Sequence, residues 1–132
     1  MTKEKKENTD QKTILVIEDE PALREAINLK LTREKFRCLP AETAEVGLEI
    51  MEKEKPDLIW LDLLMPGMGG FAFLGKIREQ KKLRDIPVVI VSVSASPEKI
   101  RLAFGLNVVD YLVKSQFRLA DIIKRLDGYI KK

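Results

Sequence analysis

Short apolar runs alternate with amphipathic stretches along this chain. The apolar runs predict strands at residues 13–17, 36–39, 58–62, 87–92 and 108–113, because buried parallel strands are continuously apolar. Between them, apolar residues recur at the three- and four-residue spacing of a helix face. This spacing predicts helices at 21–34, around 44–51, at 70–81, from 96 to about 107, and after 119. The alternation indicates an α/β protein whose parallel sheet is covered on both faces.

The fourth predicted helix has the clearest boundaries. Ser96 can cap its first turn and Pro97 suits its first helical position. Asn107 follows its last turn, and asparagine is one of the few residues that adopt the left-handed conformation in which helices close. The spacing places Phe104 on the inward stripe of this helix and Leu102 outside it.

Four of the apolar runs end on side chains that can handle a phosphoryl group. Glu18 and Asp19 follow the first run, Asp62 the third, Ser92 the fourth and Lys114 the fifth. Ligands of open α/β sheets bind beyond the carboxyl ends of the strands, so these five side chains are expected at one edge. Clustered carboxylates repel one another in a low dielectric, which favours a site for a hard divalent cation such as Mg2+.

The motifs that carry these residues resemble the receiver domain of two-component response regulators. They are VIEDEP at 16–21, DLLMPGMGG at 62–70, PVVIVS at 87–92 and DYLVK at 110–114. The resemblance covers about residues 12–131. It implies a doubly wound, flavodoxin-like (βα)5 fold with a five-stranded parallel sheet of order 2-1-3-4-5.

The resemblance assigns a phosphoacceptor and a metal site. It implies that Asp62 accepts the phosphoryl group, with its carboxylate exposed by the turn at 65–67. It also implies that Asp19 binds Mg2+ directly, that Glu18 acts mostly through water, and that Asp62 and the main-chain carbonyl of Leu64 supply further ligands. Taken alone, Asp62 could cap a turn, and the acidic pair could favour the start of the first helix.

Three further residues form the implied switch. By resemblance, Lys114 neutralises the phosphoryl oxygens, Ser92 hydrogen-bonds the acyl phosphate, and the ring of Tyr111 rotates inward behind it. Taken alone, Ser92 could be an ordinary strand serine, Lys114 a surface lysine that snorkels to solvent, and Tyr111 a half-buried aromatic at the sheet edge. The switched surface is expected on the fourth helix, fifth strand and fifth helix, where a downstream protein or a second copy of the chain would bind.

The chain departs from the family pattern near the site. Ser115 replaces the usual proline after Lys114. A non-proline cis bond costs about 2.5–4 kcal/mol, so we expect either a trans bond with a shifted Lys114 or a strained cis bond. Val93 replaces a smaller residue and should narrow access to Asp62, while Leu64 and Ser94 occupy positions that tune dephosphorylation.

Size and composition limit the function further. The 132 residues fit one receiver domain at 12–132 after a disordered polar tail at 1–11, with no output domain expected. The chain has no histidine, so a histidine kinase or a histidine phosphotransfer protein must supply any phosphohistidine. The net charge of +3 gives little support for nucleic-acid binding. No stretch approaches the roughly 20 apolar residues of a membrane span, which suggests a cytoplasmic protein.

Three other functions compete with a signalling receiver. A pseudo-receiver would serve as a constitutive docking module without switching. An aspartyl-phosphate hydrolase would need an acid-base carboxylate at the position of Leu64. A flavodoxin would bind phosphate after its first strand, where residues 18–20 are all acidic here. The sequence therefore favours a response regulator receiver that is not an enzyme beyond its own phosphorylation and dephosphorylation.

We predict that Leu64→Asn shortens the lifetime of the phosphorylated protein. Family members use polar side chains at this position to help water attack the acyl phosphate, so the unchanged protein should hydrolyse slowly. The measurement is the decay of the phosphorylated form at constant Mg2+, with Leu102→Asn as the control. Faster decay of the unchanged protein than of Leu64→Asn would contradict this prediction.

Overall fold

Strands and helices alternate throughout the computed structural model, which describes residues 11–65 and 67–130. The strands are β1 (Thr13–Ile17), β2 (Arg37–Ala41), β3 (Leu58–Leu61), β4 (Val88–Ser92) and β5 (Asp110–Val113). The α-helices are α1 (Pro21–Arg33), α2 (Ala44–Lys53), α3 (Gly70–Arg78), α4 (Pro97–Gly105) and α5 (Leu119–Tyr129), with a short 3-10 helix at Lys114–Gln116. The predicted tail falls outside the described residues except for Gln11, whose side-chain amide donates to the Lys35 carbonyl at 3.2 Å.

The five strands form one parallel sheet in the order β2-β1-β3-β4-β5. The predicted fold class and strand order are therefore confirmed. The central strand β3 is buried along its whole length, as expected for a strand with helices on both faces. Ile17 pairs with Leu61, so the residues that follow β1 and β3 emerge side by side.

Alternate residues of each strand feed two hydrophobic cores. Leu15, Ile17, Ile59 and Leu61 face a core that includes buried residues of α2, α3 and α4. Ile14, Val16, Leu58 and Trp60 face a second core that includes residues of α1 and α5. Each helix thus buries one apolar side against the sheet. Across the described residues, none of the helices has the length and apolar character of a bilayer span.

Several boundaries differ from the sequence prediction. α3 ends at Arg78 rather than 81, because Ile77 is the last apolar residue of its buried stripe. β5 begins at 110 rather than 108, since Val108 packs into the core before strand pairing starts. β2 runs to Ala41 and includes Pro40, which the sheet tolerates because β2 is an edge strand.

Both predicted ends of α4 are confirmed, and one predicted core residue is not. The Ser96 hydroxyl accepts the Lys99 N–H at 3.1 Å, and Asn107 has a φ of 68°. Phe104, however, is 48% exposed, while Ala103 is fully buried. The short α4 presents only a narrow side to the sheet, and neighbouring helix positions lie about 100° apart. Phe104 consequently turns away from the core.

Arg78 ties the end of α3 to the end of α4. Its Nε donates to the Leu106 carbonyl at 2.8 Å, and its Nη2 to the Asn107 carbonyl at 3.1 Å. Its Nη1 donates to the carbonyls of Arg84 and Ile86 at 2.8 and 3.0 Å. One guanidinium therefore satisfies four main-chain carbonyls that lie outside regular strand pairing. These contacts fix the C-terminal end of α4 to the end of α3 and to the segment before β4.

We predict that Arg78→Met lowers the free energy of unfolding by about 2–4 kcal/mol, because it removes the donor from two partly buried carbonyls and two exposed ones. Chemical denaturation monitored by circular dichroism gives the value. Arg101→Met, at an exposed position of α4, serves as the control and should change stability by less than about 0.5 kcal/mol. Equal stability of the two variants would show that the Arg78 contacts contribute nothing.

Candidate functional site

The ends of β1 and β3 bring three carboxylates together. The Asp62 N–H donates to the Ile17 carbonyl at 3.1 Å, which continues the strand pairing to the last residue before the acidic pair. One oxygen from each of Glu18, Asp19 and Asp62 lies within 4.8 Å of the others. Glu18 is 1% and Asp62 4% exposed, whereas Asp19 faces solvent. The predicted convergence of these three residues is present in the structure.

The buried position of Asp62 corrects one expectation. The turn after β3 was expected to expose its carboxylate, but both carboxylate oxygens are enclosed by hydrogen bonds. Oδ1 accepts the Leu64 N–H at 3.1 Å, and Oδ2 accepts from Lys114 Nζ at 3.1 Å. The carboxylate is therefore held in a fixed orientation by its own loop and by Lys114, the first residue after β5.

Lys114 bridges the two buried carboxylates. Its Nζ lies 2.9 Å from Glu18 Oε1 and 3.1 Å from Asp62 Oδ2. The bond between Lys114 and Ser115 is trans, as in the first of the two predicted alternatives, and the shift of Lys114 that this alternative includes stays a prediction. Lys114 is the first residue after β5, and with this trans bond its side chain contacts both carboxylates.

The charges at this edge are not balanced. Burial raises the pKa of Glu18, and the charge of Asp62 raises it further, against the lowering effect of the Lys114 hydrogen bond. Burial lowers the pKa of Lys114, but the hydrogen bonds and charges of the two carboxylates outweigh it and give a net increase. Three carboxylates thus lie within 4.8 Å of one another, and Lys114 Nζ forms ion pairs with two of them, Glu18 and Asp62. Oxygen ligands with excess negative charge are the donor set that Mg2+ prefers, so these residues fit that ion.

Ser92 and Tyr111 meet at the loop that follows β4. Ser92 is fully buried, and its Oγ accepts the Ser94 N–H at 3.4 Å. The Tyr111 hydroxyl donates to the Ser94 carbonyl at 2.5 Å. Burial raises the pKa of Tyr111, and the charge of Asp62 contributes, so the phenol lies within electrostatic reach of the carboxylate. The structure therefore links the predicted serine and tyrosine through Ser94.

Two apolar side chains near the site are exposed. Val93 is 63% exposed and Leu64 is 45% exposed. They follow Ser92 and Asp62 by one and two positions. Their predicted effects on access and on hydrolysis are kinetic and remain predictions.

The loop after β3 is held by residues that local sequence patterns do not reveal. The Glu45 carboxylate of α2 accepts the Met68 N–H at 3.1 Å. Gly70 packs so closely that an added Cβ would lie 2.8 Å from Leu63 Cα. In the neighbouring loop after β1, Arg24 Nη1 donates to the Glu18 carbonyl at 2.9 Å. The Glu45–Met68 contact joins residues 23 positions apart, whereas helix and strand periodicities report only on neighbours.

Comparison with known proteins identifies the family. The model of the response regulator receiver domain matches residues 14–127. The transcriptional regulatory protein AfsQ1 of Streptomyces coelicolor is 36% identical over 104 residues, which are 77% of this chain and 44% of that protein. The chain therefore belongs to the receiver domain family of response regulators. It spans about half the length of the curated relatives it matches, with 44%, 52% and 51% of three of them covered.

Solved structures agree with the fold. The chemotaxis protein CheY4 of Vibrio cholerae has a TM-score of 0.84 at 24% identity, covering 91% of this chain and 99% of that chain. This likeness shows the fold alone. The Mn2+-bound form of the response regulator Rcp1 has a TM-score of 0.75 at 26% identity, covering 89% of this chain and 90% of that chain.

We predict that Gly70→Ala lowers the free energy of unfolding by about 1–3 kcal/mol, because the new Cβ would displace main chain beside Asp62. Gly75→Ala on the same helix is the control, since a Cβ there meets nothing within 4 Å. That change should raise stability by about 0.4–1 kcal/mol. Urea unfolding of the two variants measures the contrast, and a stabilising Gly70→Ala would show that the loop is not closely packed.

Proposed function

We propose that this receiver domain accepts a phosphoryl group on Asp62 from a phosphohistidine of a partner protein. The observation that carries the proposal is Lys114 Nζ placed between Asp62 and Glu18, 3.1 and 2.9 Å from their carboxylate oxygens. In the transfer, an Asp62 oxygen forms the new P–O bond while the P–N bond breaks. The electron pair of that bond stays on the departing imidazole, which takes up a proton. The partner is a histidine kinase or a histidine phosphotransfer protein.

Each side chain at this edge has a part in the transfer. Phosphoryl transfer demands mainly in-line positioning and neutralisation of the equatorial oxygens. Lys114 supplies a positive charge from one side, and the Ser92 hydroxyl supplies a hydrogen bond to the new acyl phosphate. Asp19, Asp62 and the Leu64 carbonyl would hold Mg2+, with Glu18 acting mostly through water, and the ion would supply further positive charge at the phosphoryl oxygens.

The readout of the proposed switch is the surface of α4, β5 and α5. Movement of the Ser92 hydroxyl toward the acyl phosphate would disturb its bond with the Ser94 N–H, and Ser94 in turn holds Tyr111. Leu102 and Val109 are exposed apolar residues at this surface, where a downstream protein or a second copy of the chain would bind. We infer a cytoplasmic, non-enzymatic signalling role, in which the domain catalyses only its own phosphorylation and dephosphorylation.

One observation favours a second candidate function. The Tyr111 hydroxyl donates to the Ser94 carbonyl at 2.5 Å, so the ring is held against the loop after β4. A domain that holds this arrangement permanently would act as a pseudo-receiver, a constitutive docking module that binds its partner without phosphorylation. The two candidates differ in whether the environment of the site changes when a phosphoryl group is offered.

Trp60 gives a direct optical test of the site. It is the only tryptophan of the chain, and it lines a cavity of ≈190 Å3 together with Lys114. We predict that Mg2+ changes its fluorescence and stabilises the fold by about 2.7 kcal/mol at a hundredfold excess over the dissociation constant. Addition of acetyl phosphate should then change the fluorescence again.

Two variants make this test specific. Asp19→Asn should lose most of the Mg2+ effect, whereas Glu20→Gln, an exposed neighbour outside the carboxylate cluster, should retain it. An unchanged Mg2+ response in Asp19→Asn would remove Asp19 as a ligand. A Mg2+ response with no further change on addition of acetyl phosphate would favour the pseudo-receiver.

A further inference from the structure

Ser94 is a hub at which three separate contacts meet. Its N–H donates to Ser92 Oγ at 3.4 Å, and its carbonyl accepts the Tyr111 hydroxyl at 2.5 Å. Its own hydroxyl accepts from Lys99 Nζ at 2.5 Å. The main-chain and side-chain polar groups of one loop residue therefore connect the end of β4, the ring on β5 and the first turn of α4.

Lys99 reaches Ser94 from a fixed base. Its own N–H is bound by the Ser96 hydroxyl at 3.1 Å, which caps α4. From this anchored position the side chain turns back over the loop and places its ammonium on Ser94. A bond from an ammonium to a hydroxyl is charge-assisted and stronger than a neutral one. The Lys99–Ser94 contact therefore joins the two ends of segment 94–99, which connects β4 to α4.

We propose that Lys99 is a positioning residue that holds the Ser94 carbonyl where the Tyr111 hydroxyl can donate to it. The Lys99 contact then favours the position of Tyr111 in which its hydroxyl is bound to the loop. Without the lysine, Ser94 would keep only the long bond to Ser92, and the carbonyl could turn away from Tyr111. The importance of this contact for signalling rests on the proposed function, but the contact itself does not.

The Lys99 contact would therefore bias the equilibrium between two positions of Tyr111, one with its hydroxyl bound to the Ser94 carbonyl and one with its hydroxyl free. Phosphoryl transfer would shift a population that the Lys99 contact has already biased, rather than create a new conformation. A partner that recognises the surface with Tyr111 bound would therefore have measurable affinity for the unphosphorylated chain. Loss of the contact should make this affinity depend more strongly on phosphorylation.

The two tyrosines of the chain make the balance measurable by NMR. The probe is the full chain with ring-13C tyrosine, with Tyr129→Phe used only to assign the Tyr111 signal. In the absence of Mg2+ and phosphate, Lys99→Met should move the Tyr111 signal toward that of free tyrosine. The ratio of bound to free Tyr111 should fall about fivefold. Ser94→Ala, which removes the acceptor hydroxyl, should have the same effect.

Two controls separate positioning from a general loss of structure. Lys99→Arg keeps a charged donor and should leave Tyr111 near its wild-type position. Lys76→Met changes an exposed lysine of α3 and should leave the signal unmoved. An unchanged Tyr111 signal in Lys99→Met, or an equal shift in Lys76→Met, would overturn the proposal.

A second arm with Mg2+ and beryllofluoride, a mimic of the phosphoryl group, tests the proposed function separately. A shifted resting signal in Lys99→Met with no beryllofluoride response in the wild type would support the Lys99 contact and contradict phosphoryl acceptance. A beryllofluoride response in the wild type, together with an unchanged Tyr111 signal in Lys99→Met, would support phosphoryl acceptance and contradict the Lys99 proposal.

Discussion

The site depends on one ammonium shared by two buried carboxylates. The parallel pairing of β1 with β3 brings the carboxyl ends of the two strands together. Glu18 and Asp62, which follow these strands, therefore lie next to each other. Their nearest oxygens lie within 4.8 Å of each other, and at that limit two full charges repel by about 3.5 kcal/mol at an effective dielectric constant of 20. Lys114 relieves this repulsion only in part, because Asp19 adds a third carboxylate. The fold therefore places an excess of negative charge next to the Lys114 ammonium. This arrangement suits Mg2+ binding and phosphoryl transfer.

The same edge is coupled mechanically to α4. Arg78 fixes the C-terminal end of this helix through the carbonyls of Leu106 and Asn107. At its other end, Ser96 caps the helix and Lys99 reaches back to the loop. Because α4 is held at both ends, a change at Ser92 would act first on the loop after β4 and on Tyr111, which would restrict the response to those residues. This restriction explains how a few side chains could carry a signal without a large rearrangement.

The sequence predicted the fold and the meeting point of the site residues, but not the contacts that hold them. Apolar runs are local signals, and they located all five strands and hence the shared edge of the sheet. The pairing of Lys114 with Glu18 joins residues 96 positions apart, and Arg78 reaches Leu106 across 28. Such contacts depend on packed geometry. The burial of Asp62 and the exposure of Phe104 were missed for the same reason, and the roles of the site residues stay predictions.

Chemical trapping of the modified residue tests the central claim most directly. Borohydride reduces an aspartyl phosphate to homoserine, which peptide mass spectrometry locates in the chain. After incubation with a phosphodonor and Mg2+, the account predicts homoserine at residue 62 and nowhere else. Homoserine at residue 19, or an unmodified Asp62 under conditions that phosphorylate another receiver domain in the same tube, would contradict it.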